Sequence, residues 1–82
     1  MRQVLTHAPQ LRQILTARRR AAKLSQKALA AKLAISQNRL SEIEIDPGTL
    51  SVERLLDVCN LLGLEVVIQD KVSAQIAPKA EW

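Results

Sequence analysis

The chain must build its core almost without aromatic side chains, because Phe and Tyr are absent and Trp82 is the only aromatic residue. Its 82 residues include 13 Leu, 6 Ile, 6 Val and 11 Ala. Aliphatic residues and alanine suit closely packed helices better than a β-sandwich, where aromatic residues are usual. So large an apolar share also excludes an intrinsically disordered chain. We therefore expect one small, all-α domain.

Several functional classes are excluded by what the sequence lacks. No run approaches the roughly 18 apolar residues of a membrane span, and no signal peptide is evident, so we expect a cytoplasmic protein. A single cysteine, Cys59, rules out a disulfide framework and a Cys-rich metal site. A single histidine, His7, has no cysteine or carboxylate cluster beside it. We expect no metal, no cofactor and no enzymatic activity, with Cys59 packed in the core.

Charge divides the chain into two unlike halves. Residues 1–40 carry nine basic side chains and no acidic one, whereas residues 41–82 carry three basic and eight acidic side chains. The corresponding net charges are +9 and −5. Such polarity suggests one surface for a polyanion, although a merely solvated basic surface has the same composition.

Capping residues and apolar periodicity predict four helices. Pro9 opens the first, which we place at about residues 9–22, after an arm at residues 1–8. Ser25, Ser36 and Ser51 are good N-caps for three more helices. Gly63 suits the position after the last one. We expect the fourth helix to turn an apolar stripe inward and to widen it into a dimer surface. The stripe is Val52, Leu55, Leu56, Cys59 and Leu62, and the widening residues are Val58 and Leu61.

Residues 64–69 change to an alternating pattern with β-branched residues, which predicts a strand. A single strand is not stable alone, so we expect it to pair with the same strand of a second copy about a two-fold axis. The predicted dimerisation residues are Leu64, Val66, Val67 and Ile68. The alternative is that this segment folds back and covers the helical core. We expect a flexible tail at residues 70–82.

The two helices capped by Ser25 and Ser36 have the spacing of a helix-turn-helix, whose second helix enters the major groove of DNA. If Leu40 and Ile43 face the core, polar side chains with base-reading chemistry face outward. The predicted base-reading residues are Ser36, Gln37, Asn38, Arg39 and Ser41. Gln26 and Lys27 begin the preceding helix, where free amides attract phosphate, and Lys32 follows on the same helix. An ordinary antiparallel helix pair is the structural alternative.

The segment from Leu24 to Glu44 resembles the helix-turn-helix of the Xre and phage-repressor family. The resemblance covers about residues 10–62 and implies a lambda-repressor-like bundle of four to five helices that binds double-stranded operator DNA. It also implies that Gln26 contacts phosphate and that Gln37, Asn38 and Ser41 contact bases. A further implication is an ion pair between Arg19 and Glu44.

Two positions depart from the family pattern. Ala34 stands in the turn where the family usually has glycine, and if this position has φ > 0 the alanine costs about 1 kcal/mol. Glu42 faces outward on the predicted recognition helix, where phosphates repel a carboxylate. It either accepts a hydrogen bond from a cytosine amino group or is turned aside.

The C-terminal part is similar to HipB-type antitoxins, in which a strand and a short tail follow the helix-turn-helix domain. This resemblance implies a homodimeric repressor of its own operon that also binds a HipA-like serine/threonine kinase toxin. Glu81 and Trp82 are the expected toxin-binding residues, since Trp is enriched among interface anchors. The alternative is a merely tolerated terminal Trp.

The sequence thus predicts a DNA-binding repressor and antitoxin, with no small-molecule effector. One alternative is a regulator of the same family that has no toxin partner. An alternative of another class is a helical protein-interaction module that does not bind specific DNA.

Overall fold

A computed structural model describes residues 1–71 and contains four α-helices in that range. They are α1 (Gln10–Ala21), α2 (Gln26–Leu33), α3 (Gln37–Ile45) and α4 (Val52–Leu61), with a short 3-10 helix at Pro47–Thr49 between α3 and α4. This order confirms the predicted all-helical bundle. None of these helices has the length and apolar character needed to cross a membrane.

Three serine side chains begin the last three α-helices. The hydroxyl oxygens of Ser25, Ser36 and Ser51 each accept a hydrogen bond from the backbone N–H three residues ahead, at 3.0 Å. Each contact satisfies one of the amides that a helix start leaves unpaired. The three predicted N-caps are therefore confirmed, and they fix where each helix begins.

Three helices end with a residue in the left-handed conformation, at Lys23 (φ 59°), Ala34 (φ 59°) and Gly63 (φ 73°). After α2, the N–H of Ile35 donates to the carbonyl of Ala30 at 3.0 Å, and that of Ala34 to Ala31 at 3.1 Å. The same pair of bonds follows α1 and α4. This is the Schellman motif, in which the residue after the left-handed one commonly makes an apolar contact. Here those residues are Leu24, Ile35 and Leu64, and all three pack against the core.

The core is aliphatic and is shared by all four helices. Leu15 contributes from α1, Leu40 from α3 and Val58 from α4, and α2 supplies Leu29, Ala30 and Leu33. Cys59 is also buried, and burial raises the pKa of its thiol, so the side chain stays neutral. It packs in the core as predicted.

The predicted inward stripe of α4 is wrong at two positions. Val52 and Leu56 are 74 % and 42 % exposed, whereas Val58, predicted on the outer surface, is 1 % exposed. The helix carries two overlapping apolar stripes, because Leu55, Cys59 and Leu62 belong equally to a stripe that contains Val58. Periodicity alone cannot decide between them, and packing against the other helices selects the stripe with Val58.

Residues 64–71 lie outside helices, and the part of the chain that the structure describes contains no strand. Leu64 packs against the core, so it behaves as the fold-back alternative expects. Val66, Val67 and Ile68 are exposed. Pairing with a second copy stays a prediction for these three residues.

The left-handed conformation of Ala34 leads to a stability prediction. Replacing Ala34 with glycine should raise the free energy of unfolding by about 1 kcal/mol, because glycine adopts φ > 0 without the steric cost of a Cβ atom. Urea denaturation measures the change. The matched control is Ala31→Gly within α2, which should lower stability by about 1 kcal/mol. Equal effects of the two substitutions would contradict the prediction.

Candidate nucleic-acid interface

Helix α3 presents a polar face to solvent and an apolar face to the core. Leu40 and Ile43 are buried, whereas Gln37, Asn38 and Glu42 are exposed. At 100° per residue, Asn38, Ser41 and Glu42 lie close together on the side opposite the core. The outward face therefore carries amide, hydroxyl and carboxylate groups in one row, which match the donors and acceptors of base edges.

One residue on this face was missed by the sequence analysis. Ile45 ends α3 and is 60 % exposed. Seven residues separate it from Asn38, which places the two within about 20° of each other around the helix. An apolar residue in an amphipathic helix is usually assigned to the core, and Ile45 is apolar. Its helical spacing from Asn38 is the signal that could have placed Ile45 on the exposed face of α3.

Arg39 lies at the edge of the outward face and contacts two residues, Glu42 and Thr49. Its Nη1 lies 3.3 Å from Glu42 Oε1 and 3.5 Å from the hydroxyl oxygen of Thr49, and its Nη2 donates to the Thr49 carbonyl at 3.4 Å. Thr49 belongs to the 3-10 helix. Of the two outcomes considered for Glu42, the structure shows the carboxylate turned toward Arg39 along the helix.

The structure brings Arg19 of α1 and Glu44 of α3 into a buried ion pair. The Nε atom of Arg19 donates to Glu44 Oε2 at 2.7 Å, and its Nη2 donates to Oε1 at 3.2 Å. The two side chains are 10 % and 8 % exposed. Arg19 Nη1 also donates to the carbonyl of Leu24 at 2.9 Å. Such a two-point contact fixes both the distance and the orientation of the partners.

Gln26 connects this ion pair to the start of α2. Its side-chain Nε2 donates to Glu44 Oε1 at 3.0 Å. Gln26 is the first residue of α2, where backbone amides lack carbonyl partners within the helix. The side chain predicted to contact phosphate is thus held by the carboxylate that also holds Arg19. The first turn of α2 and the last turn of α1 are joined through α3.

The two predicted phosphate-binding lysines lie at opposite ends of α2. Lys27 is exposed in the first turn, next to the free amides. Lys32 is in the last turn and lines a shallow groove against α4, beside Arg54 and Asp57. Six residues of helix separate it from Gln26, about 9 Å along the axis. The structure therefore does not bring Lys32 together with the other predicted phosphate contacts.

Two arginines bind backbone carbonyls at the C-terminal ends of helices. The sequence analysis did not identify either of them. Arg54 Nη1 donates to the carbonyl of Leu33, the last residue of α2, at 3.1 Å. Arg18 Nε and Nη2 donate to the carbonyl of Leu62, just after α4, at 3.3 and 3.2 Å. Cations at helix C-termini satisfy unpaired carbonyls and match the helix dipole. Both contacts join residues distant in sequence, so local pattern gives no sign of them.

Comparison with known protein families identifies this arrangement. Residues 15–68 match the sequence profile of the Xre-type helix-turn-helix family HTH_3. The matched range includes α2, α3 and the buried core residues. The chain belongs to this helix-turn-helix family. Members of this family are DNA-binding transcription regulators, and the chain is assigned to that class. A search of curated proteins finds no match for the chain.

The remaining sequence predictions concern features that neither the family nor residues 1–71 test. Glu81 and Trp82, the predicted toxin-binding pair, lie outside the described residues. The HipB-type closeness stays a prediction, as do the base and phosphate contacts. In the described part of the chain, no group of three or more His, Cys, Asp or Glu residues could hold a metal ion.

The buried ion pair leads to a second stability prediction. Arg19→Ala should lower the free energy of unfolding by about 3 kcal/mol, because Glu44 then keeps a buried charge without its partner. Urea denaturation checks this value. Arg20→Ala is the matched control, since it removes an exposed cation one residue away and should change stability by less than about 0.5 kcal/mol. Equal stability of the two variants would overturn the assigned role of the pair.

Proposed function

We propose that the chain is a sequence-specific transcriptional repressor that binds operator DNA as a homodimer. The observation that carries this proposal is the outward face of α3, which is capped by Ser36 and begins with exposed Gln37 and Asn38. Gln and Asn side chains pair bidentately with adenine, and Ser41 can contact several base edges. In a helix-turn-helix the start of the second helix is the part that approaches base edges.

Electrostatics favour the same orientation on DNA. Gln26 and Lys27 begin α2 beside unpaired amides, which bind phosphate oxygens. Gln26 still has its amide oxygen and a second N–H beyond the contact with Glu44. Lys27 is exposed beside these amides, and residues 1–40, which include α2 and the start of α3, carry no acidic side chain. Affinity for DNA should therefore fall steeply as salt concentration rises.

An exposed apolar surface supports the homodimer. Val66, Val67 and Ile68 follow α4 and are 51 %, 67 % and 96 % exposed, and Leu56 and Leu61 of α4 are each more than 40 % exposed. Exposed apolar side chains concentrated in so short a segment are what contact with a second copy would cover. Pairing of residues 64–69 about a two-fold axis would present two copies of α3 to half-sites about 34–36 Å apart, or a multiple of that spacing.

We further propose that the chain is an antitoxin that represses its own operon and binds a HipA-like serine/threonine kinase. The support is the resemblance of residues 64–69 and of the Glu81-Trp82 pair to HipB-type antitoxins. Trp is enriched among interface anchors, because its large apolar area is buried in a partner's pocket. The alternative is a regulator of the same family without a toxin.

A footprint on the DNA upstream of the chain's own gene, titrated across salt, tests the repressor. We expect two protected half-sites separated by whole helical turns, with Gln37→Ala and Asn38→Ala each losing about 1–3 kcal/mol of discrimination against a scrambled duplex. Gel-shift titration measures that discrimination. Asn60→Ala on α4 is the control, because it removes an exposed amide from a different surface.

Each part of the repressor proposal can fail separately in this experiment. A single protected half-site would contradict the homodimer. Equal binding of the operator and the scrambled duplex would contradict sequence-specific recognition. No footprint even at low salt would favour the interaction-module alternative.

Removal of residues 80–82 tests the antitoxin. We expect weaker capture of a HipA-like kinase, because the terminal anchor is lost, and unchanged DNA binding, because α2 and α3 are intact. Kinase capture on immobilised protein and gel shift measure the two properties side by side. Unchanged kinase affinity would remove the role of Glu81 and Trp82. Lack of kinase binding by the full chain would favour the regulator without a toxin.

A further inference from the structure

Arg39 and Glu42 form a surface ion pair along the outward side of α3, three residues apart. Their closest atoms, Nη1 and Oε1, lie 3.3 Å apart, and the side chains are 41 % and 68 % exposed. An exposed pair of this kind contributes little to stability. The pair matters for recognition because both residues lie on or beside the row formed by Asn38 and Ser41, which are predicted to contact bases.

The guanidinium of Arg39 is held from a second direction by the 3-10 helix. Nη1 and Nη2 contact the hydroxyl and the carbonyl of Thr49, and the Thr49 hydroxyl donates to the Asp46 carbonyl at 3.0 Å. A flexible side chain is thereby confined between a carboxylate on its own helix and the backbone of the next element. Less rotamer freedom remains to be lost when this side chain binds a ligand.

The contacts leave part of the guanidinium available. Arginine has five N–H donors, and the Nε donor makes no contact among the described residues. Guanine N7 and O6 accept a pair of such donors. Phosphate oxygens accept them equally well, and contacts to phosphate carry no sequence information. The direction in which the Arg39 side chain is held therefore decides whether it contacts a guanine edge or a phosphate.

Glu42 disfavours the phosphate alternative. A carboxylate within hydrogen-bond distance of the guanidinium balances its charge, and any phosphate that approached Arg39 would also approach Glu42. Like charges at short range repel. A guanine edge is uncharged and does not incur this repulsion.

We propose that Glu42 is a specificity-determining positioning residue that directs Arg39 to a G·C base pair and away from phosphate. This inference rests on the proposed DNA-binding function. It assigns to Glu42 an action through Arg39, in place of direct hydrogen bonding to cytosine. It also explains why a carboxylate is compatible with the outward face of a recognition helix.

The test compares base preferences one position at a time. The wild-type full chain first selects its preferred duplex from a random-sequence library. Each base pair of that duplex is then changed to the three alternatives, and affinity is measured for the wild type, Glu42→Gln and Arg39→Lys. Arg39→Lys keeps the charge but loses the planar fork that contacts guanine bidentately. Glu53→Gln, which removes an exposed carboxylate from α4, is the control for net charge.

We expect Glu42→Gln to lose at least about five-fold in discrimination at one G·C pair, the lower end of what a bidentate base contact provides. Arg39→Lys should lose discrimination at that same pair. Affinity of Glu42→Gln for a scrambled duplex should rise, because Arg39 is free to bind phosphate. Glu53→Gln should keep the wild-type preference at every position.

Three results would overturn the inference while leaving the proposed function intact. Unchanged preference at every position, with all affinities raised together, would mean that Glu42 only repels the phosphate backbone. Loss of discrimination at a pair other than the one read by Arg39 would mean that Glu42 contacts a base itself. Wild-type discrimination at the Arg39-dependent pair in Glu42→Gln would mean that Arg39 needs no positioning. Failure of the wild type to select any duplex would instead overturn the proposed function itself.

Discussion

The carboxylate of Glu44 is the point on which the arrangement of the three N-terminal helices depends. It accepts two hydrogen bonds from Arg19 of α1 and one from Gln26 of α2, while its own helix is α3. Apolar contacts between aliphatic side chains are not directional, and their packing restricts two helices only to a few classes of crossing angle. A buried ion pair with two-point geometry adds a directional constraint. This contact and the small Ala30 in the core hold α2 against α3, and with them the outward side chains of α3 are placed.

The helix ends show how a short chain without aromatic residues completes its core. Three left-handed residues reverse the chain, and the next residue in each case is Leu24, Ile35 or Leu64, packed against the same apolar cluster. The loops thereby add buried aliphatic surface that the short helices alone do not supply. Lys23 and Ala34 adopt this conformation although only glycine does so without cost. The reversals are therefore maintained by the packing of the following residue.

The helices and the outward face of α3 were predictable because their signals are local. Serine caps bind amides three residues away, and the exposure of Gln37 and Asn38 follows from helical spacing once Leu40 and Ile43 face inward. The inward stripe of α4 was not predictable, because Leu55, Cys59 and Leu62 fit two stripes equally and only tertiary contacts favour Val58. Contacts of Arg39 with Thr49, and of Arg54 with Leu33, likewise join segments whose proximity depends on the finished fold. The pairing of residues 64–69 depends on a second molecule.

The two ends of the described chain meet. Arg2 of the arm donates through Nη2 to the side-chain oxygen of Gln69, across a sequence separation of 67 residues. Anything fused to the N-terminus therefore lies beside the segment that the second copy is proposed to contact. A purification tag placed there would lie close to Gln69, and its removal is a practical requirement before the association state of the protein is measured in solution.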